Sequence, residues 1–145
     1  MELSSRLKDF LALRINDLHR TVFRLSKGRV ANRGMGMPVV MLTTTGRKSG
    51  KLRTSMLTSP VQDGDRIVLV ASNGGDDRDP AWLLNLRAHP TVEVTIDGST
   101  RAMTARVASP DEKAELWPRV VAGYKGYANY QTRTDRDIPL VILTP

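Results

Sequence analysis

The most concentrated polar chemistry in this sequence lies in residues 43–53, where three threonines precede a basic segment that begins at Gly46. Four of seven consecutive positions carry a cationic side chain, namely Arg47, Lys48, Lys51 and Arg53. Gly46 and Gly50 allow the backbone to turn tightly, and the Ser49 hydroxyl lies between them. Turn amides form concave anion sites, and arginine adds two-point contacts to phosphate or carboxylate oxygens. The segment therefore predicts a site for a phosphate or a polycarboxylate, with a solvated basic hairpin turn as the alternative.

The same segment resembles a P-loop only superficially. Its spacing is G-x-x-x-G-K, and Leu52 stands where a P-loop has serine or threonine. A strand, and not a long helix, is predicted to follow. We therefore do not expect a nucleotide triphosphatase.

A second group of small and polar residues leads from the end of a predicted strand into a predicted helix. Its members are Ala71, Ser72, Asn73, Gly74, Gly75, Asp79, Pro80, Ala81, Trp82 and Asn85. Backbone donors are free at such a junction, and Trp82 and Asn85 share one helix face at i and i+3 spacing. The group predicts a second part of a ligand site. The alternative is a flexible loop in which Trp82 anchors the core.

All three tyrosines of the protein lie close together, at Tyr124, Tyr127 and Tyr130. If the segment is helical, the three rings share a face. Gly123 and Gly126 add flexibility, so we interpret the segment as a lid or as the wall of a pocket for an aromatic substrate. A single tyrosine would more often be a packing residue.

The sequence offers little machinery for hydrolysis or metal chemistry. It has no cysteine, and its two histidines, His19 and His89, lack metal-ligand spacing. A Ser-His-Asp arrangement, paired catalytic carboxylates and a Rossmann fingerprint cannot be assembled. We therefore expect no metal site, and we favour a reaction carried by a bound cofactor that the protein orients.

The charge distribution is asymmetric. The net charge is +7, and residues 1–33 supply +5 of it, from eight basic and three acidic side chains. Such a field attracts nucleic acid, anionic lipid or a polyanionic small molecule. Few aromatic residues and no nucleic-acid-binding motif argue against nucleic acid. No secretory signal or membrane-length apolar run is found, so we expect a cytoplasmic location.

Periodicity predicts the elements that position these residues. Residues 4–27 predict a basic amphipathic helix, which either packs on the core or contacts the inner face of the cell membrane. Strands are predicted at 38–45, 52–59, 66–72, 91–96, 100–107 and 138–143. Helices are predicted at 81–88, with Asp79 as N-cap, and from 110 to about 117, where Pro118 ends or kinks the helix. The fold class is α+β, with about six mainly antiparallel strands in a barrel, and the domains are 1–33 and 34–145.

Five blocks of the sequence carry a family resemblance. They are residues 42–54 (LTTTGRKSGKLRT), 63–65, 71–75, 80–86 and 127–139. In this order they resemble the deazaflavin-dependent nitroreductase and quinone reductase family, which uses coenzyme F-420. The resemblance covers about three quarters of the chain, from Pro38 onward. It implies a split β-barrel related to the flavin-binding oxidase barrels.

The resemblance also implies roles for individual residues. The phosphate and oligoglutamate tail of F-420 would be held by Arg47, Lys48 and Arg53, on a turn shaped by Gly46, Ser49, Gly50 and Lys51. The deazaflavin and ribityl portions would be bordered by Met56, Thr58, Ala71, Ser72, Asn73, Gly74, Ala81, Trp82 and Asn85. The substrate side would be formed by Tyr124, Tyr127 and Tyr130, and Tyr130 or a water would supply a proton.

The reaction that the resemblance implies is hydride transfer from reduced F-420 to a small-molecule acceptor. The acceptor would be a quinone, or an activated enone or lactone such as a coumarin- or aflatoxin-like compound. One alternative is an FMN-binding split-barrel oxidoreductase, and another is a membrane-associated redox-cofactor-binding protein with little turnover. Both a monomer and a homodimer remain open.

Overall fold

The computed structural model describes residues 33–145, which form eight strands and three α-helices. The strands are β1 (Arg33–Gly34), β2 (Met37–Thr45), β3 (Leu52–Thr58), β4 (Val61–Asp63), β5 (Arg66–Val70), β6 (Thr91–Ile96), β7 (Ser99–Val107) and β8 (Leu140–Thr144). The helices are α1 (Ala81–Ala88), α2 (Pro110–Gly123) and α3 (Gly126–Thr132). The predicted helix at 4–27 and its membrane contact lie outside the described residues.

The strands form one antiparallel sheet that curls into a split β-barrel. Their order is β3-β2-β6-β7-β8-β5-β4. The two-residue strand β1 pairs antiparallel with Met37 and Pro38 at the start of β2. The two end strands, β3 and β4, are consecutive in the chain and are joined only by Ser59 and Pro60. The sheet therefore has to bend back on itself to bring them together. No ladder between β3 and β4 is present in the described part, so the barrel stays split.

Buried hydrogen bonds at Ser59 hold the two ends of the barrel together. Its hydroxyl lies 2.7 Å from the Val68 carbonyl oxygen and 3.0 Å from that of Val61. Its amide donates to the Pro38 carbonyl at 3.0 Å. One fully buried residue thus ties together β2, β4 and β5 where the chain crosses the split.

Strands β5 and β8 are buried on both faces, which explains their continuous apolar runs. Ile67 and Leu69 of β5 pack in the barrel interior with Trp82 of α1. Val68 on the opposite face packs in a second core with Leu116 of α2. Helices α2 and α3 therefore cover one outer face of the barrel, whereas α1 contributes to its interior.

The predicted class, hairpins and helix α1 are confirmed, and two local predictions are wrong. Asp79 is not the N-cap of α1, because Pro80 occupies that position and the Asp79 carboxylate accepts from Arg136 at 3.1 Å. Pro118 does not end α2, which continues to Gly123. A proline removes one helical hydrogen bond, but packing of Leu116 and Val120 on either side of it keeps the helix in place.

Candidate functional site

The basic segment forms the turn of the β2–β3 hairpin, as its sequence predicts. The Gly46 amide donates to the Lys51 carbonyl at 2.8 Å, and the Gly50 amide donates to the Gly46 carbonyl at 2.9 Å. Gly50 has a φ of +70°, which favours glycine. At Gly46 an added Cβ would lie 2.7 Å from the Ser49 hydroxyl oxygen. Both glycines are therefore required by the shape of the turn.

The cations of this turn differ from most others in the structure because they lack carboxylate partners. Eight other Lys and Arg side chains of residues 33–145 form ion pairs with Asp or Glu. No ion pair within the same residues includes Arg47, Lys48, Lys51 or Arg53, and all four are exposed. Clustered positive charge without compensation attracts a polyanion.

Two adjoining cavities extend from this turn along α1. The first has a volume of about 440 Å³ and is lined at its outer end by Gly46, Arg47, Lys48, Ser49 and Arg53. The second, of about 470 Å³, lies between Met56 of β3 and the segment from Arg78 to Trp82. Ser55, Ala81 and Trp82 line both. Together the cavities form one elongated groove, cationic at one end, which we call the groove.

Asn85 connects the cationic turn to the body of the protein. Its side-chain amide nitrogen donates to the Thr44 hydroxyl at 3.2 Å, and its oxygen accepts from the Arg47 backbone amide at 3.1 Å. Asn85 and Thr44 are both buried. The Asn85 side chain lines the groove, but its hydrogen bonds hold the turn against α1.

The opposite wall of the second cavity begins with a strained loop. Asn73, Gly74 and Gly75 have consecutive positive φ angles of 44°, 65° and 85°. The Asn73 side chain donates to the Arg78 carbonyl at 3.1 Å, which joins this loop to the start of α1. Asn73 is the member of the loop that lines the cavity.

The three tyrosines are brought together, but next to the groove and not in its lining. Their ring centroids lie 5.3 to 6.4 Å apart. Tyr127 is buried, its hydroxyl lies 3.1 Å from the Thr58 hydroxyl, and burial raises its pKa. A side-chain hydrogen bond with Tyr124 raises the pKa of Tyr130, which is only partly buried. Tyr127 is therefore a packing residue in this structure, whereas Tyr130 remains partly exposed.

The structure places ten of the predicted binding residues in the lining of the groove. They are Gly46, Arg47, Lys48, Ser49, Arg53, Met56, Asn73, Ala81, Trp82 and Asn85. The remaining predicted residues lie beside it, namely Gly50, Lys51, Thr58, Ala71, Ser72 and Gly74. Thr44, Asp79 and Pro80 also line the groove, and they belong to the two polar groups identified in the sequence. Sequence reasoning missed the other lining residues, namely Thr54, Ser55, Leu57 and Arg78.

Within residues 33–145, no group of three or more His, Cys, Asp or Glu side chains is arranged to hold a metal ion. The helices of the same residues are too short or too polar to span a bilayer.

The fold and the groove define a small split-barrel protein with an elongated groove that is cationic at one end. A model of the F420H(2)-dependent quinone reductase family matches residues 15–145. An F420H(2)-dependent quinone reductase of Mycobacterium tuberculosis is 38% identical over 148 residues, which cover 99% of each chain. The chain therefore belongs to the F420H(2)-dependent quinone reductase family. It is an oxidoreductase, and its coenzyme is reduced F-420.

Solved structures show the same similarity. An F420-H2 dependent reductase is 42% identical, with a TM-score of 0.67, and the match covers 73% of this chain and 93% of that one. A structure described as a domain-swapped dimer is 36% identical, with a TM-score of 0.69, and covers 87% of this chain and 96% of its own. These matches agree with the split β-barrel described above.

Proposed function

We propose that the protein transfers a hydride from reduced F-420 to a quinone, with the coenzyme lying along the groove. The observation that carries this proposal is the set of exposed cations at one end of the groove, which form no ion pair within residues 33–145. F-420 has a phosphodiester and several glutamate carboxylates, and charge-assisted hydrogen bonds to such groups are about twice as strong as neutral ones. Arg47, Lys48 and Arg53 are the residues that would hold this tail.

The rest of the groove supplies position and shape. Bound F-420 contributes the hydride, and the protein contributes orientation. Met56 and Trp82 border the inner part of the groove, where they would offer apolar surface to the deazaflavin portion. Thr58 lies two residues after Met56, on the same face of β3. Its hydroxyl contacts that of Tyr127 and so connects this part of the groove with the three tyrosines. The acceptor would enter on that side.

A coenzyme titration tests the proposal. We expect oxidised F-420 to change its fluorescence when it binds the protein. When menadione is added to the protein and reduced F-420, we expect the absorbance of the reduced coenzyme to fall as it is oxidised. Coumarin in place of menadione tests the narrower proposal that enones and lactones are also acceptors. Tight binding of FMN with no response to F-420 would contradict the proposal, as would binding of F-420 without turnover on either acceptor.

Tyr130 is proposed to donate the proton that completes acceptor reduction. Its hydrogen bond with Tyr124 raises its pKa, so the hydroxyl stays protonated across the neutral range and loses its proton only at high pH. We expect Tyr130→Phe to lower kcat about tenfold, since water can partly replace a positioned acid. The kcat of the native enzyme should stay flat from neutral pH until the tyrosine ionises. Tyr127→Phe is the matched comparison, and an unchanged kcat in Tyr130→Phe would remove the role.

Assembly and membrane contact are also proposals. The similar structure described as a domain-swapped dimer supports a homodimer for this chain. Membrane contact through residues 1–33 rests on their net charge of +5 alone.

A further inference from the structure

Arg136 lines neither cavity, yet it joins the segments that form one wall of the groove. Its Nη2 donates to the carbonyl oxygens of Ala71 and Ser72, at 3.0 and 2.9 Å. Its Nε donates to the Asp76 carbonyl at 2.9 Å, and its Nη1 donates to the Asp79 carboxylate at 3.1 Å. With a side chain only 15% exposed, it is held in a single arrangement by four acceptors.

Arg136 shares the task of fixing the segment that it holds with two other side chains. Asn73 donates to the Arg78 carbonyl, and Arg133 contacts the Gly74 carbonyl. Between the ends of this segment lie the three consecutive residues with positive φ. Asn73 is the non-glycine residue among them, so its Cβ makes this conformation sterically unfavourable. Two backbone hydrogen bonds close the loop internally, from Gly75 to Ser72 and from Asp76 to Asn73. Arg136 contacts the loop before and after this strained stretch, and it also contacts Asp79, two residues before α1.

The planar guanidinium is the reason that arginine suits this position. It presents donors in a fixed fork, whereas a lysine ammonium is a compact point charge on a flexible stem. A lysine could keep the ion pair with Asp79 but could not reach the carbonyls of Ala71, Ser72 and Asp76 at the same time. We call the four contacts of Arg136, to three carbonyl oxygens and the Asp79 carboxylate, the clamp. Arg136→Lys therefore keeps the charge but disrupts the clamp.

We propose that Arg136 is a positioning residue for hydride transfer. It fixes the wall formed by Asn73 and the start of α1 relative to Met56 on β3, and so sets where the reactive part of the coenzyme lies. The inference rests on the proposed function. Because the anionic tail would bind at the other end of the groove, Arg136 should affect the rate of the chemical step more than coenzyme affinity.

The test compares Arg136→Lys with Arg87→Lys in the full-length protein. Arg87 lies 3.8 Å from the same Asp79 carboxylate but is largely exposed and makes no hydrogen bond to the loop in the described residues. We expect Arg136→Lys to lower kcat with menadione about tenfold or more, because small displacements in a reacting pair are costly. Its Kd for oxidised F-420 should stay within about threefold of the native value. Arg87→Lys should match the native enzyme in both.

Several outcomes would overturn the inference. One is a native kcat in Arg136→Lys, and another is a parallel loss of coenzyme affinity, kcat and thermal stability, which a purely structural role predicts. If Arg136→Lys does not fold, Asp79→Asn weakens the same clamp while leaving the three carbonyl contacts, and an unchanged kcat there counts against the inference. A native protein that neither binds F-420 nor oxidises its reduced form contradicts the proposed function itself. A native protein that turns over while Arg136→Lys equals it contradicts the positioning role alone.

Discussion

Replacing Lys48 and Arg53 together with alanine is expected to weaken F-420 binding about a hundredfold. Both side chains line the cationic end of the groove and have no ion-pair partner within residues 33–145. Their positive charge is therefore available to an incoming anion without a competing carboxylate having to leave. A hydrogen bond to a charged group contributes about 1.5–3 kcal/mol, and about 1.4 kcal/mol is a tenfold change in affinity. We take the lower value for each residue, because both are exposed to water.

The ionic strength of the titration separates direct contacts from a general field. Exposed charges are screened over about 10 Å at 0.1 M salt. The native protein should therefore lose affinity for F-420 as salt is added, and the double variant should lose less. Binding would be measured from F-420 fluorescence at two or more salt concentrations, with circular dichroism to confirm the fold.

A charge-matched control decides whether the turn is a specific site. Lys125→Ala combined with Arg87→Ala also removes two positive charges, but from residues outside the lining of the groove. We expect this control to keep nearly native affinity. If the two double variants weaken binding equally, the coenzyme is attracted by net charge and the turn is not its binding site.

The sequence predicted best what is local along the chain. The cationic turn could be predicted because its glycines and cations are contiguous and the strands on either side pair directly across them. Helix α1 and the start of α2 follow from signals within a few residues, and in the structure Ser109 and Glu112 form a capping box at the start of α2. In each case the partners are near neighbours, so tertiary contacts are not needed to place them.

What the sequence could not predict depends on contacts between distant segments. Asn85 is 41 residues from Thr44, and Arg136 is 64 residues from Ser72, so neither hydrogen bond has a local signature. The spacing of the tyrosines predicted a cluster correctly. It could not show that Tyr127 faces Thr58 and the second core, because that depends on how α3 packs on the barrel. Residue type suggested the chemistry, and packing decided which side chains remain available for it.

Asn85→Leu is expected to destabilise the protein and to weaken coenzyme binding at the same time. The substitution keeps the branching and the number of side-chain heavy atoms but replaces both polar atoms with bulkier methyl groups. The hydroxyl of Thr44, a residue only 1% exposed, then has no donor, and the Arg47 backbone amide loses its acceptor. A buried polar group left without a partner costs about 1–3 kcal/mol, and the Arg47 amide can recover part of its loss from water. We expect a loss of about 2 kcal/mol in the free energy of unfolding.

Thermal unfolding measures the first effect, and F-420 titration measures the second. For a chain of this size, about 2 kcal/mol corresponds to a fall in Tm of roughly 6–8 °C. The Arg47–Lys48 part of the turn is no longer held against α1, so we expect affinity for F-420 to fall about tenfold through the added cost of ordering it.

Thr44→Val is the comparison that separates these effects. It removes only the buried hydroxyl and leaves the bond from the Arg47 amide to Asn85 in place. We expect it to lose about 1 kcal/mol of stability and to keep most of its affinity for F-420. If Thr44→Val weakens binding as much as Asn85→Leu, the affinity depends on overall stability, and Asn85 has no separate role in holding the turn. If Asn85→Leu loses stability but binds F-420 normally, the turn reaches its bound shape without this tether.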